Sequence, residues 1–206
     1  NSTNISSTGS IGKNYGIYAS GTVNNSGNMN LSNGVGNLGI YITNGGTGRN
    51  SGNITVGASD DPNGFYSIGM AAGYVGDSTN PATTATTGTI ENNGTITVTG
   101  EKGIGMYGAN TGTTVTNNNN IVLNANNTMG IYVENGAKAV NNGSIRTGVS
   151  GLSSVIGVVL GQNSILENNG TINISGTQSK GVLLKGGRID NYGNITVSGA
   201  ASKETD

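Results

Sequence analysis

Two patterns of apolar and polar positions alternate along this chain. The first is an asparagine followed by a turn and an alternating apolar stretch, as in Asn92-Asn93-Gly94-Thr95-Ile96-Thr97-Val98. We name its first residues the ladder asparagines; they are Asn25, Asn50, Asn92, Asn117, Asn141, Asn168 and Asn191. Successive ladder asparagines are 23 to 27 residues apart, except for one interval of 42. A period of about 20 to 50 residues indicates a protein built of stacked repeats.

The second pattern is a glycine flanked by apolar residues, as in Leu38-Gly39-Ile40 and Met129-Gly130-Ile131. Counted from this glycine, positions −1, +1 and +3 are apolar in almost every copy. Such alternation predicts a half-buried strand. Each repeat is therefore predicted to hold two short strands joined by turns, with the glycine of Asn-x-Gly adopting a positive φ.

Short strands that recur in register, without a helical pattern between them, predict an all-β parallel β-helix of about seven to eight coils. Residues 1–206 are expected to form one such domain, a rod on the order of 35 Å long at about 4.8 Å per coil. The ladder asparagines would then face inward, and each side-chain amide would bond to the next. An inward amide with neighbours on both sides is satisfied, whereas an isolated one is not.

The largest departure from the repeat is an insertion at about 73–88. Solenoids place insertions as loops on one face, which is often the binding face. The residues of this loop with the most capacity for recognition are Tyr74, Asp77, Asn80 and Pro81. The alternative is a tolerated loop without a function, because lengthening a loop costs little free energy.

A second candidate binding surface is the outward position +2 after each pattern glycine. Four tyrosines stand there, and we name them the tyrosine row: Tyr18, Tyr41, Tyr107 and Tyr132. Tyrosine is suited to stacking on sugar rings or to anchoring a protein interface. The favoured alternative is that each ring covers the exposed glycine backbone beside it.

Composition removes several classes of function. The formal net charge is −1 and only 9% of residues are charged, so the chain shows no electrostatic footprint for nucleic acid. Without cysteine or histidine, it has no thiol nucleophile, no Ser-His or Cys-His dyad and no zinc site of the usual kind. No metal or cofactor is predicted. The sequence contains no apolar run of about 18 residues, so insertion of this segment into a membrane is not predicted.

Two acidic features are candidates for chemical sites. Glu167 and Asp190 occupy the same position before a ladder asparagine in adjacent coils, where two carboxylates about 5 Å apart could serve a polysaccharide-degrading enzyme. Variation of that position in other coils favours a surface role instead. Calcium near Asp60-Asp61 is a further possibility, but the segment has no acidic partner at EF-hand spacing and is predicted to be a turn.

A basic group is a further candidate. Lys180, Lys185 and Arg188 fall within one coil and could attract an acidic glycan, although a solvated face is the favoured interpretation. The first residues of the chain fall in the middle of a repeat. The tail at 200–206 does not resemble a capping repeat. We therefore expect an excised piece of a longer exported protein.

Segment 92–108 resembles the repeats in the passenger domains of large autotransporter adhesins of fusobacteria and their relatives, and the resemblance covers essentially the whole chain. It implies a right-handed parallel β-helix that type V secretion carries to the bacterial surface at the outer membrane. It also implies a non-catalytic, monomeric adhesin segment that attaches to a glycan or protein on host cells or other bacteria. Two alternatives remain: a structural spacer that presents a distal binding domain, and a polysaccharide-degrading enzyme.

Overall fold

The computed structural model describes residues 1–76 and 84–199 and the backbone of 203–205, without the side chain of Asp61. In this part of the chain the strands are β1 (Ile5–Ser6), β2 (Tyr15–Ala19), β3 (Thr22–Asn25), β4 (Met29–Leu31), β5 (Leu38–Ile42), β6 (Gly46–Asn50), β7 (Asn53–Val56), β8 (Ile68–Ala72), β9 (Gly88–Asn92), β10 (Thr95–Val98), β11 (Ile104–Ala109), β12 (Thr114–Asn117), β13 (Asn120–Leu123), β14 (Met129–Glu134), β15 (Lys138–Asn141), β16 (Ser144–Thr147), β17 (Ile156–Leu160), β18 (Ser164–Asn168), β19 (Thr171–Ser175), β20 (Lys180–Leu184), β21 (Gly187–Asn191), β22 (Asn194–Ser198) and β23 (Lys203–Thr205). One 3-10 turn lies at Asp61–Asn63. No helix within the described residues has the length and apolarity needed to span a membrane.

The strands stack into three parallel sheets, which confirms the predicted β-helix. Sheet A has the order β1-β4-β7-β10-β13-β16-β19-β22, sheet B the order β2-β5-β8-β11-β14-β17-β20-β23, and sheet C the order β3-β6-β9-β12-β15-β18-β21. We number the coils 1 to 7 from β2–β4 to β20–β22, so that each contains one strand of each sheet.

The prediction of two strands per repeat was wrong. The third strand belongs to sheet C and ends at the ladder asparagine, as β12 ends at Asn117. In β12 only Val115 is a buried apolar residue, between the half-exposed Thr114 and Thr116. A single apolar residue carries no periodicity, so the strand is defined by its parallel neighbours rather than by its own sequence.

The core lies between the three sheets. Sheet A supplies one isoleucine from each of five successive coils, all with 0% or 1% exposure: Ile54, Ile96, Ile121, Ile145 and Ile172. Sheets B and C face this column with side chains such as Met106 and Val115. Burial of these side chains is the main favourable term for a fold in which only 33% of residues are hydrophobic.

The ladder asparagines form a continuous chain of amide hydrogen bonds. From Asn25 to Asn191, each Nδ2 donates to the Oδ1 of the next ladder asparagine, over distances of 2.7 to 3.1 Å. Asn25, Asn92 and Asn117 also donate to the carbonyl oxygen two residues further on, at 2.8 to 3.0 Å. These buried amides are therefore satisfied by one another and by the turn that follows them.

The glycine of the Asn-x-Gly turn has a different role from the predicted one. Gly52, Gly94 and Gly170 do not have a positive φ. Instead, a Cβ on Gly94 would overlap the carbonyl oxygen of Gly52 in the coil before it. Asn119 stands at this position in coil 4, and the hydrogen bond from Asn120 N to Gly94 O is 3.4 Å long, against 2.8 to 3.0 Å in the next three coils. The turn favours glycine because the coils approach closely, and asparagine is accommodated at the cost of a longer hydrogen bond.

The predicted alternation in sheet B was also wrong at position −1. Met106 lies in the core, whereas Ile104 belongs to a second hydrophobic cluster together with Tyr107. The register pairs Ile104 with Met129 and Met106 with Ile131 but skips the glycines between them. Since a Cβ on Gly105 would lie 2.7 Å from Ile121 Cγ2, the glycine and Met106 both face the core, as in a β-bulge. Position −1 consequently lies outside, next to the tyrosine row.

The long interval between Asn50 and Asn92 contains two insertions rather than one. Residues 57–67 separate β7 from β8, and 73–87 separate β8 from β9. The first of these loops has 11 residues, whereas the other described connections from sheet A to sheet B have four to eight. At the far end, within the tail at 200–206, β23 (Lys203–Thr205) pairs with β20 and extends sheet B.

Candidate functional site

A groove of about 880 Å³ runs along the outer face of sheet B. Its floor consists of positions −1 and +2 of successive coils, namely Leu38, Ile68, Ile104, Met129, Ile156, Tyr107, Tyr132, Val159 and Leu183. The floor extends from coil 2 to coil 7, which is about 24 Å at 4.8 Å per coil. The volume of the groove lies in the range of about 300 to 1,000 Å³ that is typical of ligand sites.

The bulge at the pattern glycine creates this floor. Because position −1 is turned outward, two rows of apolar side chains lie next to each other on the outer face. Ile68, Ala71 and Ile104 are buried there, and Leu38, Tyr41, Tyr107, Met129 and Tyr132 pack partly buried against them. A regular strand would place only one of these rows outside.

The loop at 57–67 forms one wall of the groove through Phe65 and Tyr66, which are 40% and 36% exposed. Asp60 and Phe65 pair through two backbone hydrogen bonds of 2.8 and 3.1 Å. Ser67 Oγ donates to Ala58 O at 2.7 Å and so closes the base of the loop. These bonds give the aromatic wall a defined position.

Two lysines and one glutamate supply charge along the groove. Lys13 lies at its coil 1 end, with Nζ 3.7 Å from the centroid of the Phe65 ring. Lys185 lies at its coil 7 end, and Glu134 lies in coil 5. An ammonium over an aromatic face is a favourable cation–π contact.

Glu134 joins two members of the tyrosine row. Tyr107 Oη donates to Glu134 Oε1 at 2.5 Å, and Tyr132 Oη donates to Glu134 Oε2 at 2.9 Å. The two rings meet edge to face with their centroids 5.6 Å apart. This network fixes both rings and engages their hydroxyl groups with Glu134, which itself lines the groove.

Burial raises the pKa of three tyrosines above the ordinary value of 10. Burial, aided by neighbouring tyrosines, raises the pKa of Tyr41 to about 12. Burial together with the hydrogen bond to Glu134 raises the pKa of Tyr132 to about 12. The same two causes, in the same order, raise the pKa of Tyr107 further.

We expect stability to fall as the pH rises from 10 to 12. Because the folded pKa values of Tyr41 and Tyr132 exceed the unfolded value, their contribution is fully present below pH 10 and is lost as pH rises through 12. Denaturant unfolding at several pH values, with phenolate absorbance recorded in parallel, measures this. Tyr132→Phe should reduce the pH dependence. Complete ionisation of all eight tyrosines near pH 10 in the folded protein would contradict the expectation.

The other half of the tyrosine row forms an aromatic cluster with Tyr15 at the coil 1 end. Tyr18 and Tyr41 meet edge to face at 5.3 Å, and Tyr15 stacks on Tyr41 at 6.1 Å. Tyr41 Oη donates to Gly73 O at 3.2 Å. Tyr15 and Tyr18 are more than half exposed. Ala71 occupies the row between Tyr41 and Tyr107 and separates the two aromatic groups.

Only part of the predicted recognition loop falls within the described residues. Tyr74 pairs with Thr86 in an antiparallel bridge, and Asn110 Nδ2 donates to the carbonyl oxygens of both residues at 2.7 Å. These contacts hold the base of the insertion near Tyr41. The other three loop candidates, Asp77, Asn80 and Pro81, lie outside the described residues.

The facing carboxylates of sheet C are both engaged in ion pairs. Glu167 and Asp190 are cross-strand neighbours, as predicted. Lys138 Nζ lies 2.8 Å from Glu167 Oε2, and Arg188 Nη2 lies 2.8 Å from Asp190 Oδ2. The hydrogen bond from Lys138 is the main cause that lowers the pKa of Glu167. Of the basic group in coil 7, Lys185 lines the groove, whereas Arg188 is paired with Asp190.

The Asp60 segment forms a compact turn. Asn63 Nδ2 donates to both carboxylate oxygens of Asp60, at 2.9 and 2.8 Å. Within the described residues there is no group of three or more His, Cys, Asp or Glu placed to hold a metal ion. This turn carries the backbone into the aromatic wall at Phe65.

The aromatic wall and the row of −1 side chains were not predicted from the sequence. Phe65 is the single phenylalanine of the chain and adjoins a tyrosine within the long interval, which was the available signal for the wall. No comparable signal distinguished Leu38, Ile104 or Met129 from core residues, because both faces of the strand are apolar here.

Comparisons with known proteins give one family. A family model described as the BigA third pectate lyase-like domain matches residues 6–144. It represents a domain of the bacterial surface adhesin type. No curated protein and no solved structure matches the chain. The matched range includes most of the groove floor and the whole of the 57–67 loop.

Proposed function

The chain belongs to the family of the BigA third pectate lyase-like domain, and on this premise we propose that it is an adhesive segment of an exported surface protein. In this proposal, an autotransporter pathway delivers it to the outer membrane surface, where it attaches the bacterium to host cells or to other bacteria. The groove on sheet B is the attachment surface.

The observation that carries this proposal is the concave aromatic and apolar face of sheet B. Most of a solenoid surface needs only polar residues, and the outer positions of sheet A are threonine and asparagine in β7, β10 and β19. Sheet B instead lines one groove with tyrosine, leucine and methionine side chains that are only partly buried. A concave and mostly apolar groove with a few polar groups is the usual form of a binding site.

We propose further that the segment is not an enzyme. The ion pairs of Glu167 and Asp190 support this, because a general acid needs a raised pKa and that of Glu167 is lowered. Glu134, the carboxylate in the groove, already accepts hydrogen bonds from two tyrosines through its two oxygens.

A spacer that carries a distal binding domain is the second candidate, and the unbroken ladder favours it. Hydrogen bonds between side-chain amides link every coil to the next and would keep a long rod stiff.

Binding of the labelled, purified chain to epithelial cells and to candidate partner bacteria separates the two functions. Saturable binding that unlabelled chain displaces supports the adhesive segment. A folded chain that shows no saturable binding to any of these cells overturns it in favour of the spacer.

A further inference from the structure

We infer that the groove on sheet B receives an amphipathic helix of a partner protein, with acidic residues near both ends of the helix. This inference deepens the proposed attachment function and rests on it. Three properties of the groove point to this occupant: the chemistry of its floor, the state of the sheet backbone beneath it, and the charges at its two ends.

The floor is a poor surface for a polyhydroxylated ligand. Its −1 row is aliphatic, and the hydroxyl groups of Tyr107 and Tyr132 are bonded to Glu134. A sugar chain placed there would give up hydrogen bonds to water without replacing most of them, which costs free energy for each group. Large apolar side chains gain free energy on the same surface.

The backbone beneath the floor has no edge to offer a peptide strand. The strands of sheet B pair with each other from coil to coil, so their backbone groups are used within the sheet. An extended peptide across this face would leave its own N–H and C=O groups without partners in an apolar groove. A helix satisfies these groups internally and presents only side chains.

The dimensions of the groove suit one face of a helix. A helix of about 16 residues spans the floor of about 24 Å, at about 1.5 Å per residue. Its pitch of about 5.4 Å is close to the rise of about 4.8 Å per coil, so apolar side chains one turn apart can meet successive coils. Met129 and Ile156 are one such pair on successive coils in the middle of the floor.

The charges define the ends of the occupant. Lys13 lies at the coil 1 end of the groove and Lys185 at the coil 7 end, and both are exposed. Acidic side chains near the ends of a bound helix would face these ammonium groups, which gives the contact its register.

The test is selection, for binding to the intact chain, from a displayed library of 16-residue amphipathic helices. In this library Asp, Glu, Lys and Arg occur with equal frequency in the terminal turns. We expect enrichment of helices with large apolar residues on one face and acidic residues in both terminal turns. Lys185→Glu should weaken the best helix at least tenfold, and a helix with lysine in place of the facing acid should regain affinity. Arg146→Glu, an exposed change on sheet A, should leave affinity unchanged.

Circular dichroism of each variant checks that it is folded. Failure to enrich acidic-ended helices, or equal affinity for the wild-type chain and Lys185→Glu, would overturn the inference.

A panel of neutral, acidic and amino-sugar oligosaccharides serves as the second arm. If sugars bind and displace the chain from cells while no helix is selected, the partner inference fails and attachment stands. If a helix is selected but no cell or bacterium binds the chain, the attachment function fails instead.

Discussion

Gly105→Ala should lower the free energy of unfolding by about 3 kcal/mol, as expected for an overpacked core. A Cβ at this position would lie 2.5 Å from the carbonyl oxygen of Gly130 and 2.7 Å from Ile121 Cγ2. The first contact is with the backbone of the next coil, so relief requires a shift of the stack and not only of a side chain. Denaturant unfolding measures the change through a lower midpoint at an unchanged slope.

The matched control for this substitution is Gly21→Ala. Gly21 does not have a positive φ, and an added Cβ would meet no atom within 4 Å. The change should be neutral, or stabilising by up to about 1 kcal/mol through the unfolded chain. If both variants unfold at the wild-type midpoint, the claim that the coils approach too closely for a Cβ at the pattern glycine is wrong.

Asn117→Leu should lower the free energy of unfolding by about 2 to 4 kcal/mol, because it leaves more than one buried polar group without its partner. Asn117 Oδ1 accepts from Asn92, and its Nδ2 donates to Asn141 Oδ1 and to Asn119 O, each at 2.9 Å. The side chain is fully buried, so water cannot replace these bonds. Unfolding in urea or guanidinium gives the difference in free energy.

Two asparagine variants calibrate this loss. Asn191 is exposed and is the last ladder asparagine in the described chain, so Asn191→Leu should cost less than half as much. Asn118 lies next to Asn117 and is exposed, so Asn118→Ala should cost less than about 1 kcal/mol. Equal losses at Asn117 and Asn118 would show that burial of the ladder is not what stabilises the stack.

Features that repeat in every coil could be predicted from the sequence. Asn117 and Asn141 recur at the coil spacing, and stacking of coils is enough to bring their amides together. The apolar pattern around Gly105 likewise located the strands of sheet B. In each case many copies of one residue specify a register that a single copy cannot.

Features of the groove were harder to predict because they depend on a bulge that the residue types do not reveal and on residues that occur only once. Ile104 and Met106 look alike in the sequence, and only the bulge at Gly105 sends them to opposite faces. Phe65 and Tyr66 occur once, so no periodicity places them over the floor. The tyrosine row was recognised as an outward surface, yet its division by Ala71 and the bonds of two rings to Glu134 required the three-dimensional arrangement.

The most direct test of attachment through the groove compares two changes of aromatic residues on different faces. Phe65→Ala combined with Tyr66→Ala removes the aromatic wall, whereas Tyr192→Ala removes a 76% exposed ring beside the ladder turn of coil 7. Saturation binding to the cells that bind the wild-type chain is the measurement. We predict at least tenfold weaker binding for the wall variant and unchanged binding for Tyr192→Ala. Wild-type binding by a folded wall variant would contradict the assignment of attachment to this groove.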